Sequence, residues 1–253
     1  MARPRTTLTV LRTEQLTPHL IRVHFGGPGF AAFRPSEFSD SYIKLIFPRA
    51  DGEVLRTYTV RRVDAAAAEL AVDFVYHGDE GVAGPWSASV QPGETIDVYG
   101  PGGAYSPRQD ADWHLLAGDE AALPAIAAAL ETMDPGASGL AFVEVPGPAD
   151  ELPLTTPAGI ELTWLHRGDR PAGELLAETV RAAQWRPGRV QVFIHGEAHA
   201  VMQDLRRYIR REREVPAEWA SSISGYWRRG RTEEGFRQWK ADLAAKESAP
   251  AAS

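Results

Sequence analysis

Gly100-Pro101-Gly102-Gly103, followed by the polar run Ser106–Asp112, separates two stretches of this 253-residue chain that keep different periods. Before it, apolar residues recur at every second position, most clearly in Ile21-Arg22-Val23-His24-Phe25 and Ala71-Val72-Asp73-Phe74-Val75. That alternation turns one face of a strand inward. Leu8–Arg12, Leu20–Phe25, Tyr42–Phe47, Val54–Val60, Leu70–Tyr76 and Thr95–Tyr99 are the six candidate strands, with turn residues between them and no helical periodicity of useful length. Six short strands without helices predict a small antiparallel β-barrel, because closure removes the exposed edges of an open sheet.

Beyond the Gly/Pro stretch, apolar runs (Trp113–Ala117, Leu140–Val145, Ile160–Leu165, Val190–Ile194) alternate with helical segments (Leu123–Thr132, Gly173–Ala183, Ala198–Arg213). Alternation of this kind predicts a parallel sheet covered by helices. Two domains follow: a barrel over residues 1–108 and an α/β domain over 109–253. In the third helical segment Val201, Met202, Leu205, Tyr208 and Ile209 share a side, which leaves Arg206, Arg207, Arg210 and Arg211 towards solvent. The short segment Ser221–Ser224 is a candidate additional strand. A last helix is expected from Thr232 as N-cap, with Glu233 and Glu234 in its first turn, Lys240 and Lys246 towards its end, and Phe236, Trp239 and Leu243 as its docking face.

The absence of cysteine excludes disulfides, a Cys-ligated zinc site and a Cys₄ iron–sulfur cluster in this chain. Redox chemistry would need an organic cofactor or a substrate metal. A formal charge of −7 argues against general nucleic-acid binding, which needs a basic surface. No run approaches the roughly eighteen apolar residues of a membrane helix, and no leader-like stretch follows Met1, so the expected location is the cytoplasm. A Gly-x-Ser-x-Gly nucleophile motif is absent, which removes the commonest hydrolase reading.

Arg56-Thr57-Tyr58-Thr59-Val60-Arg61 lies in a strand that should be half buried, yet it carries two arginines and few apolar residues. A flavin would explain this composition: Tyr58 packing on the ring system, the Thr59 hydroxyl bonding near its reactive nitrogen, and Arg56 neutralising a pyrophosphate with a forked pair of donors. A barrel strand with an outward polar face explains the hexapeptide equally well. Asp73-Phe74-Val75-Tyr76-His77-Gly78 and Gly81-Val82-Ala83-Gly84-Pro85-Trp86-Ser87 follow. Glycines and small residues there let backbone N–H groups approach a phosphate. Taken singly, His77 is as readily an ordinary hydrogen-bonded side chain, and Trp86 a core residue.

The order of these segments resembles the siderophore-interacting protein family within the ferredoxin–NADP reductase superfamily. The resemblance continues through Ala117-Gly118-Asp119-Glu120-Ala121-Ala122-Leu123-Pro124-Ala125-Ile126 and Gly196-Glu197 to Gly225-Tyr226-Trp227-Arg228-Arg229-Gly230, its most specific part. It spans about residues 8 to 240. Three positions depart from the family pattern: Thr57 stands in place of proline, Val82 and Gly84 replace the proline and serine of Gly-Pro-Ala-Ser, and Ala121 replaces threonine.

The resemblance implies a two-domain ferredoxin reductase-like fold and an FAD-dependent ferric-siderophore reductase, with NADH, NADPH or reduced ferredoxin as donor and chelated Fe(III) as acceptor. Flavin contacts would come from Arg56, Tyr58, Thr59, Asp73, Val75, His77, Ala83, Gly84, Trp86, Ser87, Asp119, Ala122, Tyr226 and Trp227, with Tyr58 and Thr59 nearest the chemistry. Gly118, Gly196 and Glu197 would face the nicotinamide. Lys44, Arg237 and Lys240 would hold the anionic chelate, each also readable as a solvated surface charge. Iron would need no protein ligand, because reduction itself weakens a chelate of hard oxygens. The alternatives are a flavin-dependent NAD(P)H oxidoreductase with another acceptor and a non-catalytic ferric-siderophore-binding protein.

Overall fold

Period-two patterning in the first hundred residues becomes six strands, β1 (Arg5–Thr17), β2 (Leu20–Gly26), β3 (Tyr42–Arg49), β4 (Gly52–Asp64), β5 (Glu69–Val75) and β6 (Thr95–Gly102). In the computed structural model, which describes residues 5–50, 52–231, 235–236 and 238–239, they close antiparallel in the order β1-β2-β5-β4-β3-β6. Pairing of β1 with β6 completes the ring, so no edge is left open. Val10, Val23, Phe25, Leu45, Val72 and Phe74 fill the interior.

Alternation fails at one informative place. Between Val60 and Arg62 of β4 the register against β5 slips, leaving Arg61 as the extra residue of a bulge. Thr59 and Val60, just ahead of the bulge, are both buried. Arg61 turns outward instead, and its guanidinium forks onto Glu131 at 2.8 and 2.5 Å.

The expectation of a helix-free barrel half is corrected by α1 (Ala83–Ser89) and by a 3₁₀ turn over Pro28–Ala32. Gly84 and Pro85 lower the helical signal, but both stand in the first turn, where a missing N–H costs little. Tertiary packing then decides the matter: Trp86 seats against Phe25, Phe47 and Phe74 with ring centroids 6.2, 5.5 and 5.6 Å away.

The second half contains β7 (Trp113–Asp119), α2 (Leu123–Thr132), β8 (Ser138–Val145), β9 (Gly159–His166), α3 (Glu174–Ala182), β10 (Val190–Glu197) and β11 (Ser222–Trp227). Its five strands are parallel in the order β11-β10-β7-β8-β9. Strand order therefore reverses between β7 and β10, the position in such sheets where the carboxyl ends open a crevice. The segment read as one regular helix over Ala198–Arg213 is wound instead as two π-helical stretches, His199–Leu205 and Tyr208–Glu212, here called α4. Its faces are as expected, with Val201, Leu205, Tyr208 and Ile209 buried and Arg207, Arg210 and Arg211 exposed.

Thr232, Glu233, Glu234, Arg237, Lys240, Leu243 and Lys246 lie outside the described residues. Phe236 is buried and stacks on Trp239, 5.9 Å between centroids, so this end of the chain does dock. Besides Arg61–Glu131, an ion-pair contact between His19 Nδ1 and Asp150 Oδ1 at 2.9 Å joins the halves. Among the described residues no helix is long and apolar enough to cross a membrane.

Candidate functional site

On the barrel side, β4 presents the arginine–tyrosine–threonine segment beside β3. Tyr58 is half buried with its ring 4.5 Å from Phe74, and Thr59 is buried despite its hydroxyl. Arg56 is half buried, and one of its Nη atoms donates to the Leu55 carbonyl. Register places Lys44 opposite Thr57 and Tyr42 opposite Thr59. A lysine thus stands on the strand next to the Tyr58-Thr59 pair.

Next to them the β5–α1 connection forms a small cradle. Gly78 and Gly81 adopt φ +72° and +83°, and a Cβ at either would meet nothing within 4 Å. At Gly84 a Cβ would lie 3.1 Å from the Val75 carbonyl oxygen, so the first turn of α1 sits close against the end of β5. No side chain caps that turn, and the N–H groups of Ala83 and Gly84 have no partner within the helix itself. An open, glycine-lined turn with spare N–H donors fits a phosphate group. Ser87 contributes no hydroxyl to it, because Oγ donates to the Gly84 carbonyl at 2.7 Å. Asp73 is likewise committed: both carboxylate oxygens accept from the Arg22 fork at 2.6 and 2.8 Å. His77 is half exposed, 4.0 Å from Glu120, and burial holds its pKa below the usual imidazole range against the pull of that carboxylate. Trp86 belongs to the barrel core.

On the α/β side the predicted residues converge. Asp119, at the end of β7, is fully buried; its Oδ2 accepts from Trp227 Nε1 at 2.7 Å and from the Glu197 N–H at 2.8 Å, and its Oδ1 accepts from the Ala121 N–H at 3.0 Å. Burial first, then the neighbouring Glu120 charge, push its pKa up to about 8. Gly196 packs on this carboxylate so closely that a Cβ would stand 2.7 Å from Oδ2. Gly118 is equally confined by Ala122 and the His195 carbonyl. Tyr226 lies with its ring 4.5 Å from His195, its phenol pushed up by burial.

Glu197, expected near the nicotinamide, is occupied within the protein. Its Oε2 accepts from the N–H groups of His199 and Ala200 at 2.7 and 3.1 Å, which caps α4, and its Oε1 accepts from the Arg229 N–H at 3.2 Å. Lys44 is brought beside the Tyr58–Thr59 segment of β4; Arg237 and Lys240 fall outside the described residues.

Sequence reasoning missed a second layer at this crevice. Glu144, at the end of β8, accepts from the N–H groups of Gly173 and Leu176 at 2.7 and 2.9 Å and so caps α3. Glu120 receives a fork from Arg167, both contacts 2.6 Å. The available signal was positional: β7 and β10 each end on an acidic residue just ahead of a helix, and Glu144 stands one residue before the end of β8.

Comparison with known proteins bears on the family and the fold. A model described as a siderophore-interacting FAD-binding domain matches residues 9–55 and 49–105, and one described as siderophore-interacting protein matches residues 111–230. The ferric vibriobactin reductase ViuB of Vibrio cholerae is 31% identical over 91% of this chain and 92% of its own length. An NADPH-dependent ferric-chelate reductase of Escherichia coli is 30% identical, covering 79% of this chain and 85% of that protein. The crystal structure of a siderophore utilization protein from T. fusca superposes with TM-score 0.82 at 38% identity, over 90% of this chain and 94% of that one. The barrel-plus-parallel-sheet arrangement is that of ferredoxin reductase-like proteins. With both halves matched in order, this chain belongs to the siderophore-interacting protein family.

Proposed function

We propose that this chain is an FAD-dependent ferric-siderophore reductase of the cytoplasm, taking electrons from NAD(P)H or reduced ferredoxin and delivering them to chelated Fe(III), with release of Fe(II). Residues 1–108 would form the flavin domain and residues 109–253 the donor-side domain. FAD, when bound, supplies the exchange between a hydride pair and single electrons that ferric iron requires.

The chain's own residues divide the remaining work. Arg56 and the N–H groups of Ala83 and Gly84 would hold the pyrophosphate, the guanidinium by its fork and the helix turn by its unspent donors. Tyr58 would bear on the flavin ring, and the Thr59 hydroxyl would hydrogen-bond to it from its buried position opposite Tyr42. Gly118 and Gly196 would let the nicotinamide approach backbone at the β7/β10 switch point, with Glu197 fixing the turn. The indole of Trp227, held by Asp119, and the ring of Tyr226 would exclude water from the same side. Lys44 would draw an anionic chelate to the flavin edge by charge, without general acid or base.

The register that sets Lys44 across from Thr57, two residues from Thr59, is the observation that carries this reading, since it joins a cation to the flavin strand. The purified protein is expected to be yellow. Anaerobic stopped-flow mixing with NADH, NADPH or reduced ferredoxin should bleach it, and a ferric chelate should restore the colour. A colourless protein that takes up no flavin refutes the proposal.

A further inference from the structure

Among the described residues, Arg228 is the half-buried arginine of the α/β half that carries a buried, unpartnered Nη1. Arg167 is forked onto Glu120, Arg170 reaches Glu178, and Arg181 reaches Asp204 and Glu212. Arg228 has neither a carboxylate nor any hydrogen-bond acceptor among the described residues; its one buried Nη1 donates to nothing, and its guanidinium carbon lies 4.2 Å from the centroid of the Trp239 ring. Half-buried guanidinium groups are normally paired, because taking an unpaired charge from water is costly.

The position is not a loose one. Immediately before it, Trp227 is tied by its indole to Asp119; immediately after it, the Arg229 N–H is tied to Glu197. The residues on both sides, one by its side chain and one by its backbone, are therefore anchored to buried carboxylates, yet neither carboxylate pairs with the guanidinium between them. The result is a cation set in advance against an aromatic platform, at the carboxyl end of the parallel sheet where ligands of such folds collect.

We infer that Arg228, with Trp239 behind it, is a binding site for the anionic oxygens of the iron chelate, best suited to chelates built on aromatic catecholate rings. This rests on the reductase reading above. A dinucleotide phosphate is the poorer match. Phosphates in α/β crevices seat at helix N-termini, and here those seats are filled from within: Asp119 takes the N–H of Ala121 ahead of α2, Glu144 caps α3 and Glu197 caps α4. The three carboxylates are 0, 0 and 2% exposed, so a phosphate there would meet spent donors backed by acidic groups. A charged chelate just past the carboxyl end of β11 meets an unspent cation instead, and a catecholate ring can lie along the same indole that supports the guanidinium.

The test compares the flavin-loaded wild-type protein with Arg228→Gln and Arg228→Lys. Binding is read by calorimetry with redox-inert Ga(III) complexes, one a trianionic tris-catecholate and one a neutral trihydroxamate. Reduction of the Fe(III) counterparts and of the flavin by each donor is followed in parallel. Arg228→Gln should weaken the tris-catecholate about tenfold, the size of one charge-assisted contact, and change the trihydroxamate less than about twofold. Arg228→Lys should recover part of the loss, while flavin content and donor-side reduction stay at wild-type values. Equal weakening of both complexes with a lowered melting temperature would assign Arg228 to holding the Trp239 segment and overturn the inference. Slower donor-side reduction with unchanged chelate binding would overturn it in favour of a phosphate contact. If the wild-type protein neither binds nor reduces any chelate, the reductase reading itself falls, an outcome distinct from a silent Arg228 substitution in an active protein.

Discussion

Replacing Gly196 with alanine should unfasten the crevice from a single atom. Gly196 has φ +142°, and a Cβ there would stand 2.7 Å from Asp119 Oδ2 and 2.8 Å from its Cγ. For ordinary contact the carboxylate must retreat by roughly 0.7 Å. It is fully buried and accepts from the Glu197 N–H and the Trp227 indole through that same oxygen. Lengthening two buried hydrogen bonds costs about 1.5–3 kcal/mol, and a β-carbon at that φ adds about 1–3 kcal/mol of backbone strain. The loss should be about 3–5 kcal/mol, a large part of the stability of an ordinary domain. Chemical denaturation followed by tryptophan fluorescence measures it, and the native spectrum should shift red as Trp227 loosens. Gly147→Ala is the control, because a Cβ there meets nothing within 4 Å and its backbone is extended. A Gly196→Ala protein within about 1 kcal/mol of that control would refute the packing argument.

Burial and the neighbouring Glu120 charge push the Asp119 pKa up to about 8, from an ordinary value near 3.8. A raised acid favours the folded state below its unfolded pKa and loses that advantage as pH climbs to the folded one, so its contribution falls between about pH 4 and 8. Asp119→Asn should flatten the fall in denaturation midpoint over that window; parallel profiles for the two proteins would contradict the assignment. Glu131→Gln removes the fork to Arg61 that joins α2 to the β4 bulge. With Glu131 more than a third exposed, the cost should be at most about 1 kcal/mol and should shrink in 1 M salt; a salt-independent loss would show that packing, not charge, is at stake. Lys44→Glu should raise KM for anionic ferric chelates about tenfold with flavin content intact, and unchanged kinetics would remove Lys44 from the substrate cleft.

The barrel and the sheet were legible because period is a local property. Ile21–Phe25 and Ala71–Val75 alternate along strands with one buried face, and β7, β8 and β10 read as unbroken apolar runs because helices cover both faces. The flavin-type strand was visible for the same reason, as a conflict between expected burial and the polar content of Arg56–Arg61. Hidden from the sequence were α1, whose glycine and proline content suggests a loop until Trp86 is seen between three phenylalanines, and the bulge at Arg61, whose guanidinium reaches Glu131.

What the chain determined unaided was the order of its elements, the change of period at Gly100–Gly103 and the residue types available for a redox site without cysteine. What only tertiary structure decided was which of those residues are already spoken for. Asp73 is taken by Arg22, from 51 positions away. Asp119 is shared with Trp227 across 108 positions, Glu197 is used as a helix cap, and Arg228 is left without an acceptor among the described residues. Hydrogen bonds and ion pairs saturate, so a side chain's chemistry depends on partners that folding brings from distant sequence, and no local pattern records that competition.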